Sequence, residues 1–89
     1  MKLTLSEVKQ KYLDLIADKI SREEVSNWAF LLMQQNDLNN LTYVPSESKD
    51  KILSALIFLC KTDVQERPGK YFFYKEDIQD EFKELFEYK

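Results

Sequence analysis

The sequence predicts an all-α fold, a compact four-helix bundle forming a single helical domain over residues 1–89. Three observations carry this. One glycine and two prolines in 89 residues leave few places for tight hairpin turns. Apolar residues recur at spacings of three and four in several separate stretches, the mark of helices with one buried face. Thr4-Leu5-Ser6-Glu7 and Ser21-Arg22-Glu23-Glu24 both fit the capping box, in which a hydroxyl and a glutamate satisfy the free backbone N–H groups of a first turn.

The first helix is expected over residues 4–19, with Leu5, Val8, Tyr12, Leu15 and Ile16 facing inward. The second starts at Ser21 after a very short join at Ile20, which makes the two helices close neighbours. Val25, Trp28, Ala29 and Leu32 form its inner stripe and place the indole in the core. Phe30 and Leu31 fall on the opposite side, so the helix is apolar nearly all round and reads as central. It stops near Asn36, where QQNDLNNL turns polar. Residues 36–47 read as a connection pinned by Leu38, Leu41, Tyr43 and Val44, and a third helix follows over 47–61. Ile52, Ala55, Leu56, Leu59 and Cys60 form its inner face, with Ile57 and Phe58 outside. Arg67-Pro68-Gly69-Lys70 is a turn. Tyr71 to Tyr74 has strand-like propensity but no evident partner, so it reads as an extended connection. The last helix, 75–87, buries Ile78, Phe82, Leu85 and Phe86.

The composition excludes several chemistries. The chain has no histidine, the commonest general base and metal ligand. One cysteine cannot assemble a zinc site or an internal disulfide, and its presence alone favours a reducing, cytoplasmic setting. Gly69 stands by itself, so there is no phosphate-binding glycine loop. The N-terminal residues lack the apolar run of a signal peptide, and no run reaches the roughly 20 residues that span a bilayer. The expectation is a protein with no cofactor, no metal and no membrane partner.

Carboxylates are the remaining catalytic candidates. Glu23 and Glu24 are explained by capping and by the positive end of the helix dipole. Asp77, Asp80, Glu81 and Glu84 share a face of the last helix, which reads as solvated, and Cys60 reads as core. The chain is therefore expected not to be an enzyme. Charge is uneven: residues 1–74 carry ten Lys/Arg and ten Asp/Glu, while the last fifteen carry three lysines against six acids. Without a basic cluster, nucleic acid is not the expected partner and a basic protein is. Four successive aromatics, Tyr71-Phe72-Phe73-Tyr74, cannot all face inward from an extended segment, so some must be exposed beside the acidic helix.

SREEVSNWA, an apolar helix, and then the YFFYKEDI segment resemble small acidic bacterial cytoplasmic proteins of the toxin-immunity type. Tyr71 and Tyr74, with Pro68 and Gly69 upstream, are similar to the tyrosine segment before the last helix of the helical nuclease-colicin immunity proteins. The resemblance implies an immunity protein or inhibitor that occludes a basic toxin domain. The expected contact residues are Tyr71, Tyr74, Asp77, Asp80, Glu81 and Glu84. The alternative is a structural or regulatory subunit, or a homodimer, docking through Phe30, Leu31, Ile57 and Phe58.

Overall fold

A computed structural model describes residues 1–87, and Lys89, one of the three lysines of the acidic tail, lies outside the described residues. The order is β1 (Lys2–Thr4), α1 (Leu5–Ile16), α2 (Arg22–Asp37), β2 (Thr42–Val44), a 3-10 turn (Ser46–Ser48), α3 (Lys49–Cys60), β3 (Gln65–Arg67), β4 (Lys70–Tyr71), α4 (Lys75–Phe82) and a π-helical turn (Lys83–Glu87). The four expected helices are present, but the all-α reading is corrected: two small two-stranded sheets accompany them.

The first sheet is parallel, pairing Lys2 with Thr42, Leu3 with Tyr43 and Thr4 with Val44. Leu3 and Tyr43 both point into the core. Three residues at one end and three in an asparagine-rich connection are too short to show alternation, so neither strand is visible in sequence periodicity. The second sheet is the antiparallel hairpin β3–β4, which supplies the partner that Tyr71 lacked in the sequence reading. Gly69 makes its turn at φ 83°, a left-handed conformation that a side chain would strain.

Thr4 caps α1 by accepting from the Glu7 N–H at 3.0 Å, and Ser21 caps α2 by accepting from the Glu24 N–H at 3.0 Å. Glu24 completes the box by accepting from the Ser21 N–H at 3.2 Å. A chain with so little glycine ends α1 and α2 with other residues in the left-handed region, Asp18 at φ 61° and Asn39 at φ 58°. Asp and Asn visit that region more readily than most side chains because they bond locally to the backbone.

One core joins all the helices and β1–β2, with α2 and α3 packed along each other through Val25, Ala29, Ile52, Ala55 and Leu59. Its centre is Tyr12 rather than Trp28. The Tyr12 ring is fully buried, packed against Phe58, Phe82 and Phe86, with its hydroxyl 3.4 Å from the Ala55 carbonyl oxygen. Burial, and behind it the charge of Glu81, push its ionisation far up. Trp28 instead lies half-buried at the core edge, with the Lys11 ammonium 5.1 Å from its ring centre. On the buried face of α2, Ser26 joins Val25, Ala29 and Leu32. The Ser26 hydroxyl lies 2.9 Å from the Cys60 carbonyl oxygen and 3.0 Å from an Asp63 carboxylate oxygen. That polar tie between α2 and the end of α3 could not be read from hydropathy.

Candidate functional site

The hairpin is built against the bundle by Arg22. Its guanidinium donates to the Thr62 carbonyl at 3.0 Å and to the Phe73 carbonyl at 2.6 Å, and lies 4.4 Å from the Tyr71 ring centre. Tyr71 donates to a Glu23 carboxylate oxygen at 2.7 Å, and that bond is the main reason its ionisation is pushed up. The first turn of α2 thus holds both ends of the ribbon. Tyr71 is half-buried and committed to this joint rather than free for a partner.

The other residues singled out in sequence divide in the same way. Asp77 accepts from the Tyr74 N–H at 2.8 Å and closes the start of α4. Tyr74 is exposed, with the Lys70 ammonium 5.9 Å from its ring centre. Asp80 and Glu84 point to solvent. Glu81 is half-buried and lines a groove with Ser54, Ile57, Phe58, Lys61 and Phe73; desolvation, and then repulsion from Glu84, raise its ionisation above the usual carboxylate range. The six residues therefore do not form one ledge.

What the fold does bring together is a basic and aromatic face running along α3 into the hairpin. Lys51, Ser54, Phe58 and Lys61 recur at three and four, which puts them on one stripe of α3 and just beyond it. Lys61 borders both the groove of about 460 Å³ named above and a neighbouring one of about 300 Å³, lined with Val64, Phe72 and Phe73. At the hairpin tip, Arg67 and Lys70 are register partners on either side of the turn. Like charges directly opposite each other destabilise a ribbon, so this pair favours an anion close by. Within the protein only a loose contact from Glu66, 3.9 Å from the Lys70 nitrogen, relieves it among the described ion pairs. Phe72 is 59% exposed, packed edge-on against Phe73 at 5.1 Å between ring centres. Phe73 in turn leans on Phe58 at 4.9 Å.

Residues 49–75 carry six Lys/Arg against three Asp/Glu, in a chain of net charge −3. Of those three acids, Asp63 is turned toward the Ser26 hydroxyl and Glu66 toward Lys70. Summing charge over residues 1–74 conceals this, because the first 48 residues carry five cations against seven acids and cancel the excess. A window the length of α3 plus the hairpin would have found it. Lys51, Lys61, Arg67 and Lys70 were not singled out as site candidates in the sequence, and Phe72 only as part of the aromatic run 71–74.

Among the described residues no group of three or more His, Cys, Asp or Glu side chains could hold a metal, and no helix is long and apolar enough to cross a membrane. Cys60 is half-buried, its ionisation raised by desolvation and by Asp63.

A family model described as YxzC DNA-binding protein matches residues 2–85. No curated protein and no solved structure matches the chain. The family match overturns the resemblance to toxin-immunity proteins. With it fall the inhibitor reading, the basic toxin as partner, the alternative of a subunit or homodimer docking through an apolar face, and the exclusion of nucleic acid. The physical reason for the error is the averaged charge: the acidic α4 drew the reading away from the cations that precede it. Because the match spans nearly the whole sequence, the chain belongs to the YxzC DNA-binding protein family.

Proposed function

We propose that the protein binds DNA, without catalysis, through the outer stripe of α3 and the β3–β4 hairpin. The observation that carries this is the opposed pair Arg67 and Lys70 at the hairpin tip, with Lys51 on α3 and Lys61 at its end on the segment that leads into the hairpin. Cations held close together repel until they meet phosphate, and each phosphate they neutralise releases condensed counterions. The family description, which names binding and no reaction, supports the same reading. Tyr74 stands beside Lys70 at the edge of this face, and Tyr71 fixes the hairpin's angle from behind. The carboxylates of α4, Asp80 and Glu84 foremost, would repel a phosphate backbone and so limit how far DNA extends in that direction.

Fluorescence anisotropy of a labelled oligonucleotide, titrated with the full chain at several salt concentrations, tests this. Binding is expected to weaken as salt rises, with a shallow slope set by a few phosphate contacts. Lys61→Glu with Lys70→Glu should weaken it further, whereas Asp80→Lys with Glu84→Lys should leave it equal or stronger. All four side chains except Lys70 are well exposed, so these variants keep the fold. Absence of binding at low salt, or unchanged affinity after reversal at residues 61 and 70, would overturn the proposal.

A further inference from the structure

Resting on the DNA-binding reading, the grooves beside the hairpin carry a finer assignment. We infer that the preferred ligand is single-stranded DNA, with an unpaired base stacked on Phe72 and the strand's backbone running past Lys61 toward Arg67 and Lys70.

The argument begins with the size of the electrostatic contribution. A protein that grips duplex DNA by its phosphates uses many cations, commonly six to ten contacts. Here the face offers Lys51, Lys61, Arg67 and Lys70, and Lys70 is already shared with Glu66. Lys75, the next cation along, is committed to Asp18 at 2.6 Å. Charge alone is thus a weak source of affinity, and Glu81 on the groove wall weakens it further. Aromatic stacking has to supply the remainder.

Phe72 is the side chain placed to do so. Among the described residues it is the most exposed aromatic ring, at 59%. Its N–H donates to the Val64 carbonyl at 2.8 Å, extending the β3–β4 ladder by one bond. Behind it Phe73, Phe58 and Tyr12 form an unbroken series of ring contacts into the core, at 5.1, 4.9 and 6.1 Å. A ring held out in water by a rigid stack is a platform, and its groove partners Val64 and Lys61 give it one apolar and one cationic flank. In a duplex the faces of the bases are covered by their neighbours. In a single strand they are free, and each face stacked on an aromatic ring contributes strongly and with little regard to sequence.

Glu81 adds a chemical preference. It lines the adjoining groove with Ser54, and that groove shares Lys61 and Phe73 with the one lined by Phe72. A carboxylate there accepts from the exocyclic amines of cytosine and adenine, which thymine lacks.

The test uses the full chain and labelled oligonucleotides of about 16 nucleotides, single-stranded and as the matched duplex, in low salt. Single strand should bind more tightly than duplex. Phe72→Ala should lower single-strand affinity about tenfold and leave duplex affinity nearly unchanged. Phe72→Trp should restore the single-strand value. Glu81→Gln should narrow any preference for a mixed-base strand over oligo-dT. Circular dichroism of each variant checks the fold, which an exposed ring does not support. Equal or tighter duplex binding, or a Phe72→Ala variant that binds single strands like the wild type, would overturn this inference while leaving DNA binding in place. Absence of binding to both forms would overturn the broader reading with it.

Discussion

The Arg22 guanidinium sits between the Tyr71 ring, 4.4 Å away, and the Phe73 carbonyl oxygen, 2.6 Å away. One side chain from the start of α2 thus clamps the strand that leads out of the hairpin, and a second bond to the Thr62 carbonyl clamps the segment leading in. Replacing it by alanine leaves two part-buried carbonyls without a donor. The expected cost is about 2–3 kcal/mol, seen as a lower urea midpoint. Arg22→Lys should recover only a minor part, because an ammonium cannot reproduce the planar fork or its stacking on Tyr71. Amide exchange should speed up most over residues 62–73, where the clamp acts.

Tyr12 tests where the centre of the core lies. Tyr12→Ala removes a fully buried ring touching three others and is expected to cost about 3–5 kcal/mol, enough to abolish the folded state of a chain this small. Tyr12→Phe keeps the ring and loses only a long bond to the Ala55 carbonyl, so it should cost about 1 kcal/mol or less. Trp28→Ala, at the core edge, should fall between the two. Thermal unfolding followed by circular dichroism ranks them, and a larger loss at Trp28 than at Tyr12 would contradict this placement.

Glu81 gives the protein a pH dependence with a definite sign. Its ionisation is raised in the folded state by desolvation and by Glu84. The folded state therefore holds the proton more tightly than the unfolded chain. The resulting stability is fully present below the ordinary glutamate range and is lost as pH rises through the raised folded value. Glu81→Gln should flatten that decline and leave the protein more stable near neutral pH. Urea midpoints measured across mildly acidic to neutral pH would show it, and a wild-type midpoint that climbs over the same span for this residue's share would contradict it.

Leu3 tests the parallel sheet. It is buried, one residue after a strand start that nothing in the sequence pattern announces. Leu3→Ala should cost about 2–3 kcal/mol. A change within about 0.5 kcal/mol would mean that β1 is dispensable.

These predictions also mark what was legible in the residues themselves. Helices were, because a buried stripe repeats over several turns: Val8, Tyr12 and Leu15, then Val25, Ala29 and Leu32, then Ile52, Leu56 and Leu59 are all buried as spaced. So were both hydroxyl caps and the Gly69 turn. Strands of two or three residues were not, since pairing is a relation between distant segments and leaves no local period. Trp28 misled for a related reason: spacing gives the stripe but not which member the neighbouring helix covers, and Ser26 lies deeper than hydropathy allows. The site was the least legible part. Asp77 and Tyr71 drew attention as chemistry-bearing types, yet both are spent on internal bonds. Lys61 and Arg67 drew none, because a cation acquires meaning here only from the company that folding gives it.

The pairing of Lys2 with Thr42 has one more consequence, for the order of assembly. The first strand emerges from the ribosome about forty residues before its mate, with both helices α1 and α2 lying in the interval. It must wait, unpaired and carrying a greasy Leu3, until the asparagine-rich stretch that follows α2 has been made. Closing that long loop rewards the chain only late, when β2 arrives beside α3. β1 is accordingly among the last pieces to find its place.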